Sequence, residues 1–314
     1  MKRKRFAFVM DPLRKLDLPW DTSLCLVRSL ARAGHESYLF TLSSLSSESG
    51  RVLGMGRLIK PLGNNRYCTG PDRKFSLGDF DAVLIRKDPP FDASYLALTY
   101  LLEPVACETR VINHPRGIRN ANEKLFGLRW SRWSPPTLVS SNGEEILAFQ
   151  KRVDSDVVVK PLYEKGGKGI FLLRRGEKKR LRSLKEPVVV QKFIPLSKEK
   201  GDKRILIWKG EILGGFERIP RAGEFRSNLS LGGQFRKCRI TEKEKRLVRD
   251  LRPTLREEGL LFVGIDVRCG FLIEVNVTSP AGLVELNQLD GGATSKITRD
   301  LITLNIPGAP GQRS

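Results

Sequence analysis

The chain has 314 residues, enough for about two domains, with 40% hydrophobic residues and a formal net charge of +21 from 56 Lys and Arg against 35 Asp and Glu. That apolar content supports a sizeable core and excludes disorder over most of the length, while no uncharged apolar run approaches the ~18 residues of a membrane span. Five scattered cysteines without a CxxC pair, and only two histidines, exclude a disulfide framework and argue against zinc sites and histidine triads.

The chain therefore reads as a protein of a reducing, cytoplasmic compartment. Its basic start, Lys2 to Arg5, is followed by too short an apolar stretch for a signal peptide. An isoelectric point near 10 raises nucleic-acid binding as a function. The basic residues are spread along the whole chain, however, and aromatics are sparse near the densest run, Arg174 to Arg180. Any nucleic-acid contact is expected to be non-specific.

Arg5 to Met10 predicts a short buried strand, and Thr22 a helix cap, with Leu24, Val27 and Ala31 on one face and Gly34 as the stop. A strand over Ser37 to Phe40 completes a parallel strand–helix–strand start. The stretch from Ser43 to Gly78 is irregular or weakly stranded. Asp81 to Arg86 is a core strand, followed by one helix from Asp92 to Glu108 and a short strand over Arg110 to Asn113. After Asn122 strand-like runs dominate, at 156–160, 169–174, 187–193, 203–208, 211–217, 261–267 and 271–277. Helices are predicted over Asn142 to Arg152 and Thr241 to Glu258. The second of these has a capping box, Thr241 with Glu244, an apolar stripe of Val248, Leu251 and Leu255, and a kink expected at Pro253.

Two patterns carry chemistry. In the hairpin from Val263 to Val277, Glu274 and Asn276 share one strand face while Ile273, Val275 and Val277 form the other. With Asp266 on the partner strand, these three oxygen donors suit Mg²⁺. An amphipathic hairpin with a wet polar face satisfies the same pattern. If Asp266 and Glu274 face one ion, plain antiparallel pairing sets Asp266 opposite Leu272 and closes the hairpin with a three-residue loop, Arg268-Cys269-Gly270. A two-residue Cys269-Gly270 turn would turn Asp266 away and remove it from the set. The second pattern is Lys160 at the end of an apolar strand, followed by Gly166-Gly167-Lys168-Gly169. Such a loop can cradle phosphates with backbone N–H groups, although a plain glycine turn reads the same way. It is not a P-loop, since no Ser or Thr follows Lys168.

Taken in order, Asn122-Glu123-Lys124, Val159-Lys160-Pro161, the Gly166 to Gly169 loop, Gly201-Asp202-Lys203-Arg204, Glu217-Arg218-Ile219-Pro220, Asn228 with Gly232-Gly233, Val263 to Asp266 and Glu274-Val275-Asn276-Val277-Thr278-Ser279-Pro280 resemble bacterial glutathione synthetases of the ATP-grasp superfamily. Ile85-Arg86-Lys87-Asp88-Pro89-Pro90-Phe91-Asp92 extends the likeness to the N-terminal part. The resemblance implies a doubly wound parallel α/β domain over 1–122, then an ATP-grasp fold of two α+β subdomains, 123–195 and 196–314. It implies ligation of γ-glutamylcysteine to glycine through an acyl phosphate, with ATP as co-substrate and Mg²⁺, or alternatively Mn²⁺, as the metal.

By the same resemblance, Lys124 and Lys160 hold ATP phosphates, Gly166, Gly167, Lys168 and Gly169 close over them, and Gln191, Lys192, Phe193 and Ile194 take the adenine. Asp266, Glu274 and Asn276 hold the metal, and Arg204 and Arg218 stabilise the transferring phosphoryl group. Arg86, Asn228, Gly233 and Ser279 lie at the peptide substrate or the reacting carboxylate. Small-molecule partners, no membrane and a homo-oligomer are implied as well. The chain departs from the family at Tyr163-Glu164-Lys165, where Asp-Gly-Met is usual, and at Ser227, where glycine is usual. A related ATP-grasp ligase with another acceptor, such as a D-alanine–D-alanine ligase, and a basic nucleic-acid binder on a retired ligase scaffold are the competing expectations.

Overall fold

The computed structural model describes residues 2–303 apart from 64, 165, 179–180, 182–183, 197–201, 222–223, 225, 228 and 230–231. Strand β1 (Arg5–Met10), helix α1 (Thr22–Arg32) and strand β2 (Glu36–Phe40) form the expected opening unit, with β1 and β2 parallel. Phe6, Phe8 and Met10 enter one hydrophobic cluster, Ala7 and Val9 another. Two-sided burial explains why β1 reads as an unbroken apolar run. The cap of α1 is Asp21, whose carboxylate accepts from the Leu24 N–H at 2.8 Å. Thr22, expected in that role, is the first helical residue. Its hydroxyl accepts from the N–H groups of Gly282 and Leu283, at 3.2 and 3.4 Å, and so caps a helix near the other end of the chain.

The stretch 43–78 is more stranded than its sequence suggests, with β3 (Leu45–Glu48), β4 (Arg51–Gly63), β5 (Arg66–Thr69) and β6 (Arg73–Ser76). Strand β4 pairs antiparallel with β2, β3, β5 and β6. Glycines hide it. A Cβ at Gly54 or Gly56 would sit 2.8 or 2.4 Å from the Phe40 ring, so the strand crosses that ring only where side chains are missing. Glycine's low strand propensity then masks the pattern.

Strand β7 (Ala82–Arg86) lies parallel to β1, and β8 (Arg110–Ile112) parallel to β7. The single helix expected over 92–108 is two, α2 (Ala93–Leu102) and α3 (Val105–Glu108). Pro104 has no N–H to continue the ladder. After α4 (Pro115–Asn120) the first sheet is complete in the order β3-β4-β2-β1-β7-β8, four parallel strands extended by antiparallel ones.

A second sheet contains β9 (Thr137–Ser140), β10 (Val157–Pro161), β11 (Phe171–Leu173) and β12 (Val188–Lys192), in the order β11-β10-β12-β9. Helix α5 (Gly143–Val153), capped by Asn142, packs Ile146 and Phe149 against it. A third sheet, β15-β14-β13-β16-β17, comprises β13 (Asp202–Trp208), β14 (Glu211–Ile219), β15 (Gln234–Lys237), β16 (Phe262–Arg268) and β17 (Phe271–Asn276). Helix α6 (Glu242–Glu257) has its capping box and runs through Pro253, burying Leu247, Val248, Leu251 and Leu255. Helices α7 (Leu283–Leu289) and α8 (Ala293–Thr303), which the sequence reading leaves out, close the described chain. Among the described residues no helix is long and apolar enough to cross a membrane.

The first and third sheets are joined by polar clamps as well as by shared apolar clusters. Asn113, 3% exposed, donates to the carbonyls of Phe262 and Val277, each at 2.7 Å, and accepts from the Phe262 N–H at 2.7 Å. The two ends of the β16–β17 hairpin are thereby fixed to β8. Asn113→Ala leaves three buried backbone groups unpaired and is expected to cost on the order of 3 kcal/mol. A urea titration reads this as a lower midpoint at unchanged slope; an unchanged midpoint would show that the clamp contributes nothing.

Candidate active-site cleft

Residues of the second and third sheets line a cleft of about 440 Å³. On one wall the apolar run of β10 carries Lys160 into the interior, where Nζ donates to Gln191 Oε1 at 2.8 Å. Gln191, on β12, donates in turn to the Thr137 hydroxyl at 3.1 Å. Burial pushes the Lys160 amine down to about 8, with Glu274 opposing the shift and Lys124 adding to it. Lys124 follows a turn in which Asn122 Oδ1 accepts the N–H groups of Lys124 and Leu125. Its amine donates to the Glu164 carbonyl at 2.6 Å and the Leu162 carbonyl at 3.4 Å, and lies 3.9 Å from the Glu274 carboxylate. Two lysines from distant segments thus converge on one half-buried carboxylate.

The other wall is a charge network on the third sheet. Arg204 on β13 stands directly opposite Asp266 on β16, donating through Nε to Oδ1 at 2.6 Å and through Nη2 to Oδ2 at 3.3 Å. Arg218 on β14 stands opposite Asp202. It donates to Asp202 through Nε at 2.8 Å and its Nη2 lies 3.3 Å from Asp266 Oδ2. Burial alone would raise Asp266, but Arg204 and Arg218 overcome it and hold the carboxyl below its ordinary value. Burial disfavours the Arg218 charge, yet Asp202 and Asp266 prevail and raise its pKa. Among the described residues no arginine pairs with Glu274, whose pKa is raised by burial and by like-charged Asp266 against the pull of Lys124. Lysines and arginines stand beside carboxylates throughout the lining, an arrangement suited to a polyanion that arrives with a cation.

The hairpin reaches this arrangement by a route the sequence argument excludes. Its loop has two residues, not three: Arg268 pairs with Phe271, and both Cys269 and Gly270 have positive φ, 51° and 79°, as a type I′ turn requires. Plain pairing from that turn would face Asp266 away. Instead the register shifts beyond Val267–Leu272, so that Asp266 stands directly opposite Glu274. Ile273 is the extra residue of a β-bulge and lines the cleft rather than joining the apolar face. The inference that a two-residue turn removes Asp266 is therefore wrong. Asp266, Glu274 and Asn276 all line the cleft, and Asn276 donates to the Gly264 carbonyl at 3.2 Å, leaving its side-chain oxygen as an acceptor. Among the described residues no group of three His, Cys, Asp or Glu side chains forms a metal site. Two carboxylates and an amide nevertheless fit a hard cation that takes its remaining ligands from water and phosphate.

Gly166, Gly167, Gln191, Lys192, Phe193, Ile194 and Ser279 also line the cleft. Lys168 does not: it is exposed and pairs with Glu164 at 3.5 Å. Gly169 and Gly233 lie outside the lining, while Asn228, Gly201 and Lys165 lie outside the described residues. Arg86 is likewise absent from the lining. It is buried, donates to the Ser23 hydroxyl and the Pro280 carbonyl at 3.0 Å each, and lies over the Phe262 ring. It positions the segment after β17 rather than facing the cleft.

The sequence reading assigns no role to Glu123, Asp202 or Arg226. Glu123 Oε1 accepts from the N–H groups of Val277 and Thr278 and from the Thr278 hydroxyl, at 3.0, 3.2 and 2.7 Å. Asp202 was within reach, since it lies two residues before Arg204 and so on the same strand face. Arg226 Nη1 donates to the Gly167 carbonyl at 2.9 Å, tying this arginine to the glycine loop; no local pattern announces that contact.

Comparison with known proteins identifies the family. Residues 5–119 match the N-terminal domain of prokaryotic glutathione synthetase and residues 123–291 its ATP-grasp domain. Glutathione synthetase from Synechococcus elongatus is 40% identical, over 91% of this chain and 94% of its own. That of Mesorhizobium japonicum is 34% identical, over 95% and 97%. Among solved structures, a RiPP-associated ATP-grasp ligase from Chryseobacterium gregarium superposes with a TM-score of 0.66 at 18% identity, covering 98% of both chains. D-cycloserine synthetase DcsG gives 0.65 at 16%, covering 95% of this chain and 99% of its own. At such identities these two show the shared fold alone. The matched domains and the relatives place the chain in the prokaryotic glutathione synthetase family.

Proposed function

We propose that this chain joins γ-glutamylcysteine to glycine at the expense of ATP, giving glutathione, ADP and phosphate. The observation that carries this reading is the cleft itself, where Lys124 and Lys160 meet Asp266, Glu274 and Asn276 between two sheets. In this reading residues 1–122 hold the peptide substrate, and 123–195 and 196–314 clasp the nucleotide. Lys124 and Lys160 hold phosphate oxygens, the Gly166–Gly167 backbone covers them, and Gln191 to Ile194 offer the adenine an edge of backbone hydrogen-bonding groups. Asp266, Glu274 and Asn276 would hold Mg²⁺, or Mn²⁺ in its place, which when bound offsets phosphate charge.

The cysteinyl carboxylate attacks the γ-phosphorus and the bond to the β-phosphate oxygen breaks, giving an acyl phosphate and ADP. The glycine amine then attacks the acyl carbon, gives up a proton and expels phosphate. No enzyme nucleophile is needed, so catalysis is positioning and charge neutralisation. Arg204 and Arg218, locked by Asp266 and Asp202, present fixed positive charge to the transferring phosphoryl group without reorganising. Arg226, held on the Gly167 carbonyl, belongs to the Ile219 to Gly233 stretch that in this reading covers the acyl phosphate and excludes water.

Phosphate release from ATP tests the reading: it is expected only with γ-glutamylcysteine and glycine together. Release that persists with another acceptor in place of glycine, or with another peptide donor, would assign the chain to a different ligase. A pH dependence follows from Lys160. Its folded-state value is lowered to about 8, so in the nucleotide-free protein the amine is charged below that pH and loses its proton above it. ATP affinity is therefore expected to fall above pH 8, by up to about tenfold per unit. Lys160→Arg should flatten that limb. A parent affinity constant from pH 7 to 9.5 would place Lys160 away from the phosphates.

A further inference from the structure

A second and larger concavity, of about 820 Å³, opens between the later half of α1, the tip of the β4–β5 hairpin and helix α7. It shares no lining residue with the active-site cleft. Five cationic side chains line it: Arg3, Arg28, Arg32, Lys60 and Arg66. The only carboxylate of that lining, Glu36, is already engaged, by Arg3 at 3.2 Å and by the Tyr38 hydroxyl at 3.0 Å. Arg28 is held by neutral groups, donating to the Asn65 side-chain oxygen at 3.2 Å and to the Tyr67 hydroxyl. Trp20, 39% exposed and edge-on to Phe235, forms one wall.

We propose that this concavity is a second anion site and binds a small compound carrying two or more phosphate groups. Charge on a convex surface is dissipated by water and salt, whereas charge around a low-dielectric hollow is focused into it. Four of the five cations are arginines, whose planar forks suit phosphate oxygens and bind them bidentately. The volume falls within the ~300–1,000 Å³ of pockets that enclose small molecules. A nucleic-acid strand is the poorer occupant, because it needs a basic track with interleaved aromatics and these cations gather at one hollow.

Inorganic tripolyphosphate is the probe, titrated calorimetrically at a fixed ~150 mM salt into the whole chain carrying Lys124→Ala/Lys160→Ala, which removes both lysines of the other cleft. Saturable one-to-one binding is expected in this background. It should weaken at least tenfold in Arg28→Ala/Arg66→Ala and stay at the parent value in Arg174→Ala/Lys178→Ala, a pair from the densest basic run. Arg28 is half-buried, so the exposed pair Arg32→Ala/Arg66→Ala provides a variant in which the fold is not at stake. Perturbed tryptophan fluorescence that disappears in Trp20→Phe would locate the ligand. Two results would overturn the proposal: no saturable binding in this folded background, or equal loss in the control pair. A single-stranded oligonucleotide that displaces tripolyphosphate and binds more tightly would overturn it too, by making the hollow part of a nucleic-acid surface.

Discussion

Lys160→Ala is expected to lower glycine-dependent phosphate release by about 10²–10³-fold, the range seen when one fixed donor to a developing charge is removed. Its stability should hardly change. Burial of the ionised amine, with its pKa lowered to about 8 from 10.5, opposes folding by on the order of 3 kcal/mol at neutral pH. Alanine removes that cost, and it forfeits the bond to Gln191 and some packing, which act in the opposite direction and are of comparable size. A phosphate-release assay beside a thermal melt separates the two effects. Near-parent turnover would take Lys160 out of the site. Lost turnover with a collapsed melting temperature would mean that the lysine supports the fold instead.

The second large effect is expected at Asp266, which both Arg204 and Arg218 use as an acceptor. Asp266→Ala leaves two guanidinium groups without their shared countercharge inside the third sheet. Breaking a buried network in this way costs about 3–5 kcal/mol, to be read as a lower urea midpoint, and turnover should fall below detection. Asp202 still pairs with Arg218, so the variant is expected to fold. Asp266→Asn keeps the shape and one acceptor oxygen but loses the charge. It should restore most of the stability and little of the activity, and it should raise the magnesium concentration needed for half-maximal phosphate release. An asparagine variant with parent activity at parent magnesium would remove Asp266 from the metal and phosphoryl site.

Much of the fold was legible because burial writes periodicity into the chain. Strands β1, β7, β10, β12 and β16 are apolar on both faces or nearly so, as is the second half of β13, and each stands within a residue or two of its expected place. The capping box of α6 marks that helix without help from the rest of the molecule. Where glycines replace a side chain to clear the Phe40 ring, as in β4, periodicity is lost and so is the strand. Short elements such as β9 and α7 carry too few positions to declare a period.

The sequence by itself determined the residue types of the site and their strand faces: a lysine ending β10, a glycine loop after it, and acidic and amide groups alternating along β17. Which of them meet was decided by pairing across long separations. Arg204 finds Asp266 through the β13–β16 register, and Lys124 finds Glu274 through the turn at Asn122. The bulge at Ile273 shows why local rules stop short. A strand's period of two assigns faces only until one residue is inserted, and the N–H groups on the other edge of the bulged strand find their partners in the distant Trp133 and Glu123 carbonyls. Arg86 and Thr22 illustrate the same limit. Both lie in conspicuous motifs, yet the tertiary fold turns Arg86 onto the Pro280 carbonyl and Thr22 onto the start of α7. A polar side chain's partner is whatever donor or acceptor the folded chain brings within reach, and that neighbourhood exists only after the sheets have packed.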